Sequence, residues 1–318
     1  MDNVENIIDF SDADFFELMD LRVDYAFKLF FATGDTCRLV SLLNAIFANK
    51  QIPRIIKSLS VATPSLEKTA PSDKLSVLDI LAVLDNGASI CIEMHLYDIF
   101  EIKYKQVRSW ARVFGTELEP KQKYSMQKLV ICISFINGAV KDVTDSPIEK
   151  VHSLFMLMER DSHEVLLPEM ELHFIDMKAF IKYCEENEGN EADFDMFTKW
   201  LMLITQKEIM NKDAIKRICA EEEFKDAMEE LNRLSKDKYE KLAYQRRLDE
   251  LYTYNKTMQQ VAENEAAYRA ALAEKDEALA EKDEALAEKD EELAKKDAEN
   301  KLLLAQIKKL EKQLGVEE

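Results

Sequence analysis

Ser76-Val-Leu-Asp-Ile-Leu-Ala-Val-Leu84, Asp85-Asn-Gly87 and Ile90-Cys-Ile-Glu-Met-His95 are the stretch that decides the fold. Val77 to Leu84 is apolar and β-branched enough for a strand, Asn-Gly is the strongest short hairpin signal, and Ile90 to Met94 reads as the returning strand. Strand side chains alternate, so Cys91, Glu93 and His95 share one face while Ile92 and Met94 enter the opposite layer. Asp79 and Glu93 then stand on neighbouring strands. A carboxylate inside an apolar strand is costly without a partner, and a divalent cation is the usual partner of two such acids. The other reading is a pair of acids satisfied by their neighbours at a sheet edge. Spacing alone does not separate the two.

Around the hairpin, residues 11–32 and 35–49 read as two helices, the second with Leu39, Leu42, Leu43, Ile46 and Phe47 on one side. A first strand is expected within Ile55 to Ala62, a helix over 98–117 and a strand over 128–136. This α-β-β-β-α-β order predicts an α/β fold, a mixed sheet flanked by helices. His173-Phe-Ile-Asp176 reads as a further strand of the same domain. Phe194, Phe197, Trp200 and Leu201 are expected to pack helices over 191–235.

All six prolines lie at or before Pro168, and five of the six glycines at or before Gly189. The polar, Ala/Glu/Lys/Leu-rich stretch from 190 to 314 therefore reads as helix. The expected organisation is a domain over 11–185, a helical extension over 191–250 and a coiled coil over 251–316. No apolar run is long enough for a membrane span, and the amino terminus has acids where a signal peptide needs bases, so a cytoplasmic protein is expected. Cys37, Cys91, Cys132, Cys184 and Cys219 are odd in number and widely spaced, which favours reduced thiols over disulfides or a zinc site. His152, His163 and His173 stand apart from any acid or cysteine cluster in sequence and read as structural or surface residues.

The net charge of −19 argues against a protein that simply coats DNA, because phosphate neutralisation calls for a basic surface. A local basic surface remains open. Lys105, Arg108 and Arg112 recur at helical spacings of three and four, and that stripe either holds a phosphate backbone or solvates a helix face.

Taken in order, Asp24-Tyr-Ala-Phe-Lys28, Asp79-Ile80 and Glu93-Met-His95, followed by the strand-like Leu129-Val-Ile-Cys-Ile-Ser-Phe135, resemble the PD-(D/E)XK nuclease family transposases, also called recombination-promoting nucleases. The resemblance covers about residues 20 to 180, and more weakly reaches about residue 250. It implies a restriction-endonuclease-like core that uses Mg2+ (or Mn2+) to hydrolyse DNA, with Asp79 and Glu93 as metal ligands. A lysine two residues after the second acid is usual in the wider superfamily, and a glutamine in relatives resembling this chain. Here the position is His95, which can orient water, act as a base near neutral pH or bind a softer metal, but is no permanent cation. Lys28 is a candidate for the missing charge, with Asp24 as a further polar or metal-site group. The alternative for both is an exposed pair outside the site.

The unit Ala-Leu-Ala-Glu-Lys-Asp-Glu recurs from Ala271 to Glu291, with a degenerate copy from Glu292, so Leu272, Leu279, Leu286 and Leu293 fall seven apart. With these at a, the d positions are Lys275, Lys282, Lys289 and Lys296, a poor seam. Asn300, Leu303, Ile307, Leu310 and Leu314 make a better one, and Asn at a favours a two-stranded parallel coil. The expected assembly is a parallel homodimer zipped from its end and frayed through the repeats; the alternative is a solitary charged helix. Three function classes stay open: a metal-dependent DNA endonuclease of mobile elements, a degenerate nuclease fold binding DNA or a partner, and a coiled-coil interaction protein.

Overall fold

Strands β2 (Ile80–Leu84) and β3 (Ser89–Met94) pair antiparallel, as their patterning requires. Their turn is closed by Gly87 N–H donating to the Leu84 carbonyl at 2.8 Å, with Gly87 itself at φ 79°. This left-handed position ends a three-residue loop, where a side chain would be strained. The computed structural model describes residues 17–62, 79–97, 102–116, 118, 121–138, 140–141, 147–148, 150–187, 194–209, 212–219 and 221–314.

β1 (Leu59–Ala62) flanks β2 antiparallel. After β3 the chain crosses over through α3 (Ile102–Thr116) to β4 (Val130–Ile136), which lies parallel to β3. β8 (Val165–Asp176) lies parallel to β4, and β7 (His152–Met158) closes the far edge antiparallel, for an order β1-β2-β3-β4-β8-β7. Every residue of β3 and β4 is buried. Continuous apolar strands of this kind belong to sheets covered on both faces. A separate short pair, β5 (Val140–Lys141) and β6 (Pro147–Ile148), precedes β7.

One face of the sheet carries α1 (Asp24–Ala32), α2 (Cys37–Asn49), α4 (Met177–Glu186), α5 (Met196–Ile204), α6 (Lys212–Cys219) and α7 (Glu222–Lys236). Its core includes Phe27, Phe31, Phe135, Trp200 and Phe224, with rings 4.7 to 5.6 Å apart. The other face holds α3, packed on Cys91, Val130, Cys132, Leu172 and Phe174 through Ile102 and Val113. Last comes α8, one helix over Lys238–Leu314. The chain forms two compact units, Met1–Tyr252 and Thr253–Glu318. No described helix is long and apolar enough to cross a membrane.

The α/β architecture and element order are those the sequence predicts, with three differences. The first helix, expected over 11–32, is interrupted: Glu17 is helical, residues 18–23 are not, and α1 begins at Asp24; residues 11–16 lie outside the described residues. Asp20 accepts the Arg22 N–H at 2.9 Å, a local turn that competes with the helix. The strand expected from Val77 starts at Ile80, residues 77 and 78 being outside the described residues. β7 and the first half of β8 had no clear signal, because Pro168 interrupts the pattern. It sits beyond the end of the β4 pairing, near a register shift against β7, where a missing N–H is tolerated. Cys37, Cys91, Cys132 and Cys184 form no disulfide, and Cys37 is exposed while Cys91 and Cys132 are buried.

His173 and His152 do not stand apart from acids, as sequence distance suggested; only His163, in an exposed turn at φ 57°, is a surface residue. The strand register brings His152 Nε2 to 3.0 Å from His173 Nδ1, and His173 Nε2 to 3.5 Å from Glu171, which Arg54 holds bidentately at 2.8 Å. Asn49 Oδ1 meets His152 Nδ1 at 2.8 Å. Burial pushes the His152 imidazole down to about 2, with the nearby His173 adding to it, and burial lowers His173 too. A histidine depressed in the fold stabilises it above its ordinary value of 6.5 and loses that contribution as pH falls. His152 alone is expected to cost about 1.4 kcal/mol per pH unit below that point. The midpoint of thermal unfolding should therefore drop between pH 7 and pH 5, less steeply in His152→Gln. An unchanged midpoint in the native chain would contradict this.

Candidate functional site

The β2–β3 register, Ile80 opposite Ile92, puts Asp79 opposite Glu93 when continued by one residue. Alternation then sets both carboxylates on the α3 side of the sheet. Asp79 stands at the entrance to β2, half-buried, and its Oδ2 accepts the Met94 N–H at 2.7 Å. Glu93 is 3% exposed, in the middle of the sheet. Its Oε1 accepts the Ser109 hydroxyl at 2.8 Å, and its Oε2 lies 2.9 Å from Lys105 Nζ and 3.3 Å from His95 Nε2. Lys105 and Ser109 are four apart on α3, so both reach the same strand.

The two acids have opposite environments. Burial pushes the Asp79 carboxyl up to about 7, the charges of Asp24 and Glu93 adding to it against the Met94 N–H. Burial acts on Glu93 too, but His95 and the Lys105 ammonium outweigh it and hold the carboxyl down to about 2. His95, 7% exposed, is lowered by burial and stays neutral near pH 7. A base titrating near its ordinary 6.5, as the sequence suggests, is thus displaced to lower pH.

Asp24 opens α1, close enough for its charge to act on Asp79 and His95. Arg247, from the first turns of α8, holds it with Nε 2.9 Å from both carboxylate oxygens. Lys28, one turn further along α1, is exposed and pairs with no acid among the described residues. The cation that meets Glu93 is Lys105, one of three residues expected to face phosphate. Arg108 is exposed and Arg112 half-buried on the same flank of α3.

Several buried polar atoms here lack hydrogen-bond partners: Glu93 Oε2, His95 Nε2 and, opposite Glu93 on β4, Ser134 Oγ. The Lys105 ammonium and the neutral His95 ring both lie beside Glu93 Oε2, neither with an aligned hydrogen bond. Buried polar atoms without an aligned hydrogen bond retain capacity for a further polar ligand. Two carboxylate oxygens suit Mg2+, which keeps several waters and takes one or two acids. Among the described residues no cluster of three or more acid, histidine or cysteine side chains forms a self-sufficient metal cage.

Sequence reasoning did not find Ser109, although its spacing from Lys105 was a usable signal. Ser134 is readable only from strand pairing. Arg247 lies 223 residues from Asp24, and no local pattern announces it.

A family model described as PD-(D/E)XK nuclease family transposase matches residues 21–261. No curated protein and no solved structure matches the chain.

Proposed function

Because the chain belongs to the PD-(D/E)XK nuclease family transposases, we propose that it is a DNA endonuclease whose centre is the Asp79–Glu93 pair. The observation that carries this reading is that two acids on adjacent strands share one face, one carboxyl raised and the other lowered by its surroundings, with an oxygen of Glu93 held by no aligned hydrogen bond. Asp79 and Glu93 would hold Mg2+ (or Mn2+). When bound, such an ion polarises the phosphodiester and makes water a better nucleophile at neutral pH.

The chain's own residues supply the rest. Ser109 fixes one oxygen of Glu93, leaving the other to face the site. Lys105 brings the permanent positive charge that His95 cannot, and reaches it from the helix instead of the strand. It would stabilise negative charge developing on phosphate. His95, neutral and buried beside Glu93, is suited to orienting a water. Arg247 keeps Asp24 in place at the mouth. Lys28 is left as an exposed candidate for a DNA contact.

Incubating the protein with supercoiled plasmid and Mg2+ or Mn2+ tests the reading, with nicked or linear product expected. A second reading, a nuclease fold kept for binding DNA or a partner, is favoured by His95 and by the net charge of −19. It predicts retained DNA with no product. On the first reading the protein works on DNA, and a place in transposition or recombination, inside the cytoplasm, is part of the proposal.

Divalent binding should depend on pH through Asp79. Its proton, held up to about 7, competes with a cation, so Mn2+ affinity is expected to rise towards pH 8 and to fall below pH 7. His95→Gln should keep that dependence and Asp79→Asn should remove it, as titration calorimetry can measure. A dependence that vanishes in His95→Gln would assign the proton to the imidazole instead.

The long helix leaves its apolar side chains open. Leu272, Leu279, Leu286, Leu293, Leu303, Ile307 and Leu310 are all exposed. Tyr254, Met258, Val261 and Tyr268 are exposed as well and continue the same register upstream. With Leu272 at a, Met258 is another a and Tyr254, Val261 and Tyr268 are d. A second copy of the helix, in parallel register, is the partner that a self-repeating stripe of this kind fits.

A further inference from the structure

Resting on the reading of the site as a DNA-cleaving centre, we propose that the open face of β1 and β2 and the basic flank of α3 form a groove for the phosphate backbone of DNA. It runs from Glu93 towards the hairpin turn at Gly87.

Among the described residues the sheet is unequally covered. Six helices share the core of one face, whereas on the other α3 packs over β3, β4 and β8. Leu81 and Val83 of β2 remain half-exposed on that second face, beside Ser60 and Ala62, their partners on β1. These four make a shallow, uncharged floor.

The orientation of α3 decides which of its residues overlook that floor. Gln106 donates to the carbonyls of Cys132 and His173, and Trp110 to that of Val130, so this flank lies over β4 and β8. Lys105 and Ser109 reach the other way, to Glu93 on β3. At 100° per residue Arg108 and Arg112 continue the Lys105 flank, on the side of β2. At the far end the Lys128 side chain lies across Gly87: a Cβ there would come within 2.0 Å of its Nζ.

Charge points to the occupant. α3 holds Lys103, Lys105, Arg108 and Arg112 and no acid, in a chain of net charge −19. After Glu117 and Glu119, residues 121–138 add Lys121, Lys123 and Lys128 with no further acid, and Tyr124 is 91% exposed among them. Asp85, the acid of the hairpin turn, is engaged by the Ser58 hydroxyl at 2.6 Å. A helix of 15 residues is about 22 Å long, enough to follow roughly six base pairs. A positive wall above a neutral floor, ending at the paired carboxylates, would hold a backbone by its phosphates without reading its bases.

The test is fluorescence anisotropy of the full chain with a labelled 20-base-pair duplex in millimolar Ca2+, over a range of salt. Arg108→Ala/Arg112→Ala/Lys128→Ala is compared with Lys178→Ala/Lys182→Ala/Lys236→Ala, which removes as much charge from the opposite face. The groove variant is expected to bind more than tenfold more weakly, with a salt slope shallower by about two to three, and the control to bind as the native chain does. Circular dichroism checks that both are folded, and each single substitution should lower the slope by about one. Equal affinity and slope in the groove variant and the native chain would overturn the groove. Equal losses in groove and control variants would do the same, leaving only general charge. If the groove fails while the native chain still nicks plasmid, the endonuclease reading stands without it. If the native chain binds no duplex and cuts none, both fall.

Discussion

Glu93→Gln is expected to abolish divalent-dependent nicking while leaving the domain folded. The substitution keeps the volume and the Ser109 hydrogen bond but removes the charge that faces Lys105 and the open part of the site. A bound cation contributes several kcal/mol of transition-state stabilisation, so losing a ligand corresponds to a loss of about a thousandfold. Asp79→Ala should do as much, at the cost of the acceptor that Asp79 offers the Met94 N–H at the strand entrance. Glu93→Ala is the poorer probe, since it also opens a cavity and strips Lys105 of its counter-charge. The measurement is plasmid nicking with Mg2+ and Mn2+, beside a thermal melt of each variant. Equal cleavage by the native protein and both folded variants would sink the proposed centre.

Deleting residues 296–318 is expected to convert a dimer into a monomer. In the repeats each heptad offers one leucine at a and a lysine at d, whereas Leu303, Ile307 and Leu310 fill both kinds of position. Burying three such side chains on each of two chains contributes roughly 9–18 kcal/mol. That is comparable with the roughly 4–15 kcal/mol that association costs, so the end of the helix decides the balance. The segment at Tyr254, Met258, Val261 and Tyr268 is interrupted by Glu265 at a and should not hold the dimer alone. Sedimentation of full-length and truncated protein at about ten micromolar checks this, at a concentration typical for weak coils. If dimers are needed for paired cuts, the truncated protein should also nick without making double-strand breaks. A full-length chain that sediments as a monomer would refute the assembly.

How far the sequence reached can be judged at particular residues. The hairpin and its two acids were legible because period-two alternation and an Asn-Gly turn are local, and local rules set which face Glu93 takes. The order of helices and strands followed from the same kind of signal, as did the helical character of the chain after residue 190. β7 escaped because neither its alternation nor its turn was distinctive, and β8 because Pro168 masks its first half. The pairing of β4 with β8, and of β8 with β7, joins segments with no common local pattern.

The site divides along the same line. Asp79, Glu93 and His95 are adjacent through one hairpin, so their company is legible in the sequence. That Lys105 meets Glu93 while Lys28 faces solvent depends on how α3 and α1 rotate against the sheet, which only packing sets. Arg247 reaches Asp24 because the start of α8 packs beside α1, a contact between segments 223 residues apart. The depth of burial around His95, which displaces its titration, is likewise a property of the covered sheet. Sequence determined which residues alternate, turn and repeat, because those rules act over a few residues. The tertiary structure decided which distant charges meet, because desolvation and ion pairing depend on distances that the chain acquires only on folding.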